Sequence, residues 1–255
     1  MFKKITTLTL AFGIMLAFFV ALILPTPSVL AQVGVSQGQA QAPAAALPAL
    51  EPPSEKNGGL KPILNPARLN DTDDKIEVVY FFWYGCRGCR ETDQTTSMFL
   101  NSLPDDVRVE KLHVLFDNQP LWRIHGKLFY VLDELGVEKD LHTKLFATVQ
   151  QQPHGPGGGS TYGLTTPESQ ETFVAANGIS RAAFKTAYDS PQVKGRMERV
   201  IAFMNNSGID GVPALIINGR YQYTLFEGPG FYQQAERLIN LERERLSASK
   251  VSPPA

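Results

Sequence analysis

Apolar residues along the chain form runs and periods that predict alternating strands and helices. Residues 76–83, Ile-Glu-Val-Val-Tyr-Phe-Phe-Trp, are almost all β-branched or aromatic, which is typical of a strand covered on both faces. Helical periodicity follows over 89–103 and ends at Pro104. A second strand is predicted over 107–116, with Val109 among its core-facing residues. Strand, helix and strand at this spacing predict a right-handed βαβ unit with a parallel pair of strands.

The middle of the chain has a mainly helical pattern. Within 118–206 we predict five helices, at 122–135, 141–151, 166–177, 181–188 and 192–205. Residues 153–160, Pro-His-Gly-Pro-Gly-Gly-Gly-Ser, suit no regular element and are predicted to form an exposed loop. The pattern then returns to strands at 214–217 and 220–224, joined by an Asn-Gly turn, before an amphipathic helix at 230–246.

The two ends of the chain have compositions unlike the middle. Residues 1–31 resemble an export signal, because two lysines precede an apolar run and prolines follow it. This run is close to the ~20 residues of a membrane span, so a cleaved signal and an inner-membrane anchor over residues 5–24 both remain open. Residues 32–70, rich in Pro, Ala, Gln and Gly, predict a disordered linker, and 247–255 a disordered tail. The folded domain is expected over 71–246.

Charge and cysteine content exclude several classes of function. The formal net charge of −1 gives no global field that would favour nucleic acid. The chain has two cysteines, Cys86 and Cys89, which are too few for a four-thiolate zinc site or a framework of several disulfides. A disulfide between them closes a very short loop and would restrict the unfolded chain little. We therefore expect the pair to carry out chemistry, in an exported chain where disulfides persist.

The sequence Cys86-Arg87-Gly88-Cys89 lies where the first strand passes into a helix. Cys86 is expected at the helix N-terminus, where unpaired N–H groups and the helix dipole favour a thiolate. Arg87 adds a positive charge beside it, and Arg87 and Gly88 are together predicted to tune its pKa. We expect Cys86 to attack and Cys89 to resolve the mixed disulfide.

Other chemically active side chains give weaker signals. His113 alternates with apolar neighbours and is interpreted as an interior residue rather than a catalytic one. His125, His142 and His154 show no metal-ligand spacing, so we predict no metal site, and no cofactor beyond the redox-active Cys86–Cys89 disulfide.

The chain resembles the DsbA family of thioredoxin-fold oxidoreductases from about residue 71 to 246. The resemblance rests on the residues at 81–89, Phe-Phe-Trp-Tyr-Gly-Cys-Arg-Gly-Cys, on Gly-Val-Pro-Ala at 211–214 and on Asn-Gly-Arg-Tyr at 218–221. It implies an α/β thioredoxin fold, β-α-β then β-β-α, with an inserted all-helical subdomain. It also implies that the bond between Val212 and Pro213 is cis and packs beside Cys86. The backbone of Val212 would then pair with an extended substrate. Separately from the resemblance, the aromatic run from Phe81 to Tyr84 is expected to be mainly core, with Trp83 and Tyr84 flanking the active sulfur as candidate substrate contacts.

Two departures from the family pattern concern the active site. Arg87-Gly88 replaces the usual Pro-His, so no histidine lies beside the thiolate in sequence. Tyr80 stands at the strand position where the family often carries a buried acid that assists proton transfer. Glu77 is nearby but has the opposite strand parity, so it is not expected to replace that acid.

Three hypotheses for function follow. The first is a periplasmic oxidase, a monomer that gives its disulfide to exported proteins with cysteines and is reoxidised by a membrane electron acceptor. The second is a reductase or isomerase for dedicated clients. The third is a non-enzymatic binding module, such as a thiol metallochaperone or a peptide-holding chaperone.

Overall fold

The structure, a computed structural model, describes residues 60–70, 74–151, 162–224 and 230–251. In these residues five strands form one mixed sheet in the order β1-β5-β4-β2-β3. The pair β2 and β3 is parallel, and the other pairs are antiparallel. The strands are β1 (Leu60–Pro62), β2 (Ile76–Phe82), β3 (Val107–His113), β4 (Ala214–Ile217) and β5 (Tyr221–Thr224).

Helices connect and cover this sheet in the predicted order. Helix α1 joins β2 to β3, five helices stand between β3 and β4, and the last helix follows the β4–β5 hairpin. This arrangement confirms the thioredoxin fold with a helical insertion. The helices are α1 (Arg87–Ser102), α2 (Pro120–Glu134), α3 (Glu138–Gln150), α4 (Pro167–Ala176), α5 (Arg181–Tyr188), α6 (Pro191–Ser207) and α7 (Phe231–Val251).

Strand β2 is an interior strand of the sheet, and the turn with the two cysteines follows its end. All seven of its residues are buried, as the near-continuous apolar run predicts. Its one charged residue, Glu77, is buried at the far end from the cysteines. The Glu77 carboxylate accepts the backbone N–H groups of Leu69 and Asn70 at 2.8 and 2.9 Å. Glu77 therefore holds the chain that enters the sheet and does not replace the acid missing at Tyr80.

The predicted linker over 32–70 is wrong at its C-terminal end. Residues 60–62 form β1, which pairs with β5 in antiparallel register. Leu60 and Ile63 are buried in the core, and this burial offsets the entropy of ordering a segment of low sequence complexity. The predicted tail is also too long, because α7 continues to Val251.

The second strand is shorter than predicted, since β3 ends at His113. Val109 is exposed there rather than part of the core. The predicted export signal, the residues of the linker before Leu60 and the loop at 153–160, with its His154, lie outside the described residues. None of the described helices is both long enough and apolar enough to cross a membrane.

Candidate active site

The two cysteines lie where β2 passes into α1. Cys86 is the N-cap residue of α1, and its sulfur accepts the backbone N–H of Cys89 at 3.1 Å. Such a cap forms because the first N–H groups of a helix have no partner within the helix. The N–H of Cys86 donates to the carbonyl oxygen of Trp83 at 2.9 Å and closes the turn. The predicted position of Cys86 at a helix N-terminus is confirmed.

The surroundings of the two sulfurs separate their pKa values. A hydrogen bond from the Cys89 thiol lowers the pKa of Cys86, and the backbone N–H groups of Cys89 and Gly88 lower it further. Burial raises the pKa of Cys89, and its hydrogen bond to Cys86 and the charge on Cys86 add to that rise. Both cysteines are free thiols in the structure, with Cys86 half-buried and Cys89 buried. Cys86 is therefore the sulfur that ionises, and Cys89 is the sulfur that keeps its proton.

The loop before β4 approaches the same sulfur. The peptide bond between Val212 and Pro213 is cis, as the family resemblance implies. The carbonyl oxygen of Val212 lies 3.6 Å from Sγ of Cys86, although 126 positions separate the two residues in sequence. The fold thus brings together the Cys86–Cys89 pair and the Val212-Pro213 pair.

The two residues between the cysteines contribute differently from what the sequence predicts. The backbone N–H of Gly88 is one of the groups that lower the pKa of Cys86. The side chain of Arg87 is exposed and pairs with Glu91 one turn along α1, with Nε 2.7 Å from Oε1. The negative charge of Glu91 acts against ionisation of Cys86. The structure therefore does not support Arg87 as the electrostatic replacement for the missing histidine.

Trp83 and Tyr84 are both buried, as expected for an aromatic run that is mainly core, and their role as substrate contacts stays a prediction. The indole of Trp83 stacks on Trp122 with ring centroids 4.3 Å apart, and its Nε1–H donates to Nδ1 of His125 at 3.1 Å. The hydroxyl of Tyr84 donates to Oε1 of Glu138 at 2.6 Å. Both side chains find their partners in the helical insertion, which the sequence pattern does not reveal.

A residue of the insertion also holds the backbone of the cysteine turn. Nε2 of Gln150, the last residue of α3, donates to the carbonyl oxygens of Tyr84 at 2.6 Å and Cys86 at 3.2 Å. Sequence analysis missed this residue because Gln150 lies 64 positions from Cys86 and has no chemical signature of its own.

Five polar side chains from four segments form a hydrogen-bonded group against α1, which we call the His142 cluster. Oδ1 of Asp93 lies 3.0 Å from Nζ of Lys111 and 3.0 Å from Nε2 of His142. The other ring nitrogen of His142 lies 2.5 Å from Oε1 of Glu138. The members of the cluster are Tyr84, Asp93, Lys111, Glu138 and His142.

The partners in this cluster overcome the effect of burial on charge. Burial alone would raise the pKa of Asp93, but hydrogen bonds and charges from His142 and Lys111 hold it below its ordinary value. The pKa of Glu138 is likewise held low against burial by His142 and Tyr84. Burial would lower the pKa of His142, and its hydrogen bonds to Asp93 and Glu138 raise it instead. Two carboxylates thus face Lys111 and His142, and Nζ of Lys111 also lies 2.7 Å from Nε2 of His142, where its positive charge acts against protonation of the ring.

The sequence alone could have indicated one pair of residues in this cluster. Glu138 and His142 are four positions apart on a helix, a spacing that brings side chains together. Asp93 and Lys111 gave no such signal, because their contact with His142 depends on the packing of α1 and β3 against α3.

Tyr80 is the β2 residue whose phenol interacts electrostatically with both cysteines and with Asp93 of this cluster. It is directly opposite Lys111 in the register of β2 and β3. Burial raises the pKa of the Tyr80 phenol, and negative charge at Cys89, Asp93 and Cys86 raises it further. The phenol therefore replaces the family's acid with a group that stays protonated.

The remaining predicted candidates among the histidines are neutral interior residues. The Nδ1–H of His113 donates to the carbonyl oxygen of Val114 at 2.8 Å, and burial lowers the pKa of His113 to about 3. His125 accepts from Trp83 and lies 2.9 Å from the carbonyl oxygen of Gly163, and burial lowers its pKa to about 4. In the part of the chain that the structure describes, no three His, Cys, Asp or Glu side chains are grouped so that they could hold a metal ion.

Comparison with known sequences identifies close relatives of this chain. It is 38% identical over 172 residues to the thiol:disulfide interchange protein DsbA of Azotobacter vinelandii, which covers 66% of this chain and 76% of the relative. It is 33% identical over 179 residues to DsbA of Pseudomonas aeruginosa, covering 69% of this chain and 79% of the relative. No protein-family model matches the chain. These relatives confirm the predicted enzyme class over the non-enzymatic metal or peptide carrier.

Solved structures agree with this result. The crystal structure of Pseudomonas aeruginosa DsbA matches with a TM-score of 0.65 and 30% identity, covering 74% of this chain and 95% of that one. DsbA from Xylella fastidiosa, at 24% identity, shares the fold with a TM-score of 0.63 over 73% of this chain and 96% of its own.

Proposed function

Because the chain belongs to the DsbA family of thiol:disulfide oxidoreductases, we propose that it works as an oxidase that transfers the Cys86–Cys89 disulfide to exported proteins. A reductase or an isomerase for dedicated clients would use the same two sulfurs, with electrons flowing in the other direction or in both. The observation that favours the oxidase is the N-cap position of Cys86, whose sulfur accepts the backbone N–H of Cys89 at 3.1 Å, because such a donor stabilises the thiolate.

The direction of transfer follows from which redox state the protein stabilises. In the reduced state, the Cys86 thiolate accepts a hydrogen bond from the Cys89 thiol and others from the N–H groups of Cys89 and Gly88. The Cys89 hydrogen bond does not exist once the two sulfurs are bonded, and the N–H groups then face a neutral sulfur. The reduced form therefore gains stability relative to the disulfide, and a disulfide that is less stable than its dithiol is a stronger oxidant.

The reaction needs two thiolate attacks. A client thiolate attacks Sγ of Cys86, the bond to Cys89 breaks, and Cys89 takes the electron pair and then a proton. A second client thiolate attacks the client sulfur of the mixed disulfide, and Cys86 leaves as a thiolate. The client gains one disulfide, and the enzyme gains the two electrons that the client loses. Cys86 is suited to accept attack and to leave, because it is half-buried and its thiolate is stabilised.

The surroundings of Cys86 support an extended client. The Val212 carbonyl lies beside the sulfur, so a client strand that pairs with the backbone of Val212 would place its own cysteine near Cys86. The proposal places the protein in the periplasm as a monomer without a further cofactor, with a membrane electron acceptor that reoxidises the pair.

The test is the redox equilibrium of the full chain in graded glutathione buffers, followed by tryptophan fluorescence and checked by thiol trapping. Trp83 lies three positions before Cys86 and stacks on Trp122, so its emission is expected to respond to the disulfide. A Cys89→Ser variant is the matched control, because it cannot form the internal disulfide. A pair that stays reduced except in strongly oxidising buffer supports the oxidase. A pair that stays oxidised under reducing conditions would contradict the oxidase and leave a reductase or an inert disulfide.

A further inference from the structure

A cavity of about 460 Å³ lies at the end of the sheet opposite the two cysteines, and its size is within the range of small-ligand sites. The backbone N–H of Asn218, a lining residue, donates to the carbonyl oxygen of Glu77 at 2.7 Å, and Glu77 is at the end of β2 far from the cysteines. The exchange of disulfides does not use this space. We call it the arginine cavity, and its lining consists of residues 66–70, Asn218, Arg220, Arg245 and Leu246.

The walls of the arginine cavity are packed closely against one another. Gly219, in the turn between β4 and β5, has a φ of +64°, and a Cβ atom at this position would collide with the carbonyl oxygen of Ala67. Because only glycine permits so close an approach, the turn lies directly against the wall formed by residues 66–70. The Glu77 carboxylate fixes the same wall by accepting the N–H of Leu69 at 2.8 Å. The fold therefore positions the walls before any ligand binds.

The lining of the arginine cavity is basic, and the acids near it are buried behind the lining. Among the described residues that line it, three are arginines and none is acidic. Glu242 is fully buried and pairs with two of these arginines: Nε of Arg245 donates to Oε2 at 2.9 Å, and Nε of Arg220 lies 3.4 Å from Oε1. The other buried acid, Glu77, accepts N–H groups of the 66–70 wall. Two guanidinium groups thus share one carboxylate.

Arg220 and Arg245 keep donors available for a ligand. Their side chains are 38% and 43% exposed, whereas the Glu242 side chain is not exposed at all. Among the described residues, Glu242 is the only acidic partner of either arginine. A guanidinium group has five N–H donors in one plane, so the donors that do not face Glu242 remain for another acceptor. Because Glu242 already holds both groups, a ligand would immobilise little further side-chain freedom.

We propose that the arginine cavity binds a phosphate group, with Arg220 and Arg245 as its principal ligands and Arg68 contributing from the 66–70 wall. A tetrahedral phosphate presents oxygens in several directions, so it accepts from guanidinium groups of separate segments at once. A carboxylate has two oxygens in one plane and suits a single guanidinium fork. The phosphate belongs either to a free solute or to the headgroup of a lipid, and binding makes and breaks no covalent bond.

The experiment is isothermal titration calorimetry of the full oxidised chain with inorganic phosphate, at neutral pH and low salt, because salt screens such contacts. Acetate is the comparison anion. Arg220→Gln and Arg245→Gln each remove one guanidinium group from the cavity. The matched control is Arg181→Gln, which removes an exposed arginine of α5 that pairs with Glu171 and does not line the cavity.

We expect phosphate to bind the unaltered chain and the Arg181→Gln chain with the same affinity. Arg220→Gln and Arg245→Gln should each weaken binding by about tenfold or more, because each removes hydrogen bonds from a charged donor. Acetate should bind more weakly than phosphate. Acetate binding as tight as that of phosphate would overturn the choice of phosphate. Full phosphate affinity in both cavity variants would overturn the site.

Glu242→Gln separates ligand binding from a purely structural role of the arginines. It removes the buried negative charge and keeps a side-chain oxygen that accepts from Arg245. We expect this variant to bind phosphate more tightly than the unaltered chain, because both guanidinium groups lose their competing anion. Unchanged or weaker binding would show that the arginines serve Glu242 alone and would overturn the proposal. Exchange of the disulfide with glutathione, at the other end of the sheet, shows that each variant is folded.

Glycerophosphoglycerol, which is the headgroup of phosphatidylglycerol without its acyl chains, distinguishes the two sources of the phosphate. It is a diester with one negative charge, whereas inorganic phosphate carries up to two near neutral pH. Binding of the diester as tight as that of phosphate would assign a lipid headgroup, and binding of phosphate alone would assign a free solute. Binding of neither would overturn the proposal. The redox function would stand in that case, because it does not depend on this cavity.

Discussion

Two histidines contact the ring of Phe82 edge-on, and their pKa values are shifted in opposite directions. The ring centroids of His113 and His142 lie 5.4 and 5.1 Å from that of Phe82, at interplanar angles of 70° and 72°. Both also lie against Tyr84. Their shared aromatic surroundings do not explain why burial lowers the pKa of His113 to about 3 whereas the pKa of His142 is raised.

The partners of the two rings explain the difference. His113 donates to a backbone carbonyl and accepts the N–H of Tyr84 at 3.3 Å, and a neutral ring satisfies both bonds. His142 faces the carboxylates of Asp93 and Glu138, which favour the imidazolium. Burial makes a charge costly in both places, and only a partner of opposite charge compensates for that cost. One histidine is therefore a neutral part of the core, and the other belongs to a group of charged side chains.

The largest effect is expected from His142→Gln, which removes the ring that pairs with the carboxylate of Asp93 and with the buried carboxylate of Glu138 and leaves Lys111 as the remaining basic partner. We expect the free energy of unfolding at neutral pH to fall by about 3–5 kcal/mol, since breaking a buried pair leaves a charge without compensation. Denaturant unfolding measures it. Lys139→Gln removes an exposed positive charge from the same helix and is expected to change stability by less than about 0.5 kcal/mol. A His142 variant as stable as this control would contradict the charged assignment.

A smaller loss is expected from His113→Leu. The substitution leaves the N–H of Tyr84 and the carbonyl of Val114 without their ring partner in the interior, which costs about 1–3 kcal/mol. The substitution leaves no charged group without a partner, so the loss of unfolding free energy should be smaller than that of the His142 variant in the same experiment. The reverse order would show that neutral packing, and not charge pairing, dominates around Phe82.

The two histidines are expected to change the free energy of unfolding in opposite directions as pH changes. The pKa of His142 is raised, so the stability that it contributes is complete below its ordinary value of 6.5 and is lost as pH rises through its folded pKa. The pKa of His113 is lowered to about 3, so stability falls as pH decreases below 6.5 and continues to fall until that pKa. The acid slope is about 1.4 kcal/mol per pH unit for one neutral histidine.

Unfolding free energies measured across pH for His113→Gln and His142→Gln test this contrast. His113→Gln should make the unfolding free energy less dependent on pH on the acid side, although His125 still contributes there. His142→Gln should make it less dependent on pH above neutral pH. Two variants with the same profile would remove the distinction between the sites.

The two histidines also show which features of the structure can be predicted from the sequence and which cannot. His113 could be assigned to the interior because it alternates with apolar residues in a strand, which is local information. The role of His142 could not, because Asp93 lies 49 positions away and meets it only after α1 and α3 have packed. The same limit applies to β1, whose three residues form a strand only because β5 offers an edge. The cysteine turn and the cis bond at Pro213 were predictable, because their motifs are contiguous and resemble a family.

The smallest effect is expected from Gln150→Leu, which tests an uncharged contact made by the same helix that carries His142. Its amide donates to the carbonyls of Tyr84 and Cys86, and losing these neutral bonds is expected to cost about 1 kcal/mol. Gln151→Leu is the matched control, because Gln151 is exposed and adjacent. The pH dependence of Cys86 alkylation should not change, since the N–H groups that lower its pKa belong to Gly88 and Cys89. A large shift in that dependence would mean that the insertion tunes the Cys86 thiolate through the backbone turn, and the contact made by Gln150 would then not be purely structural.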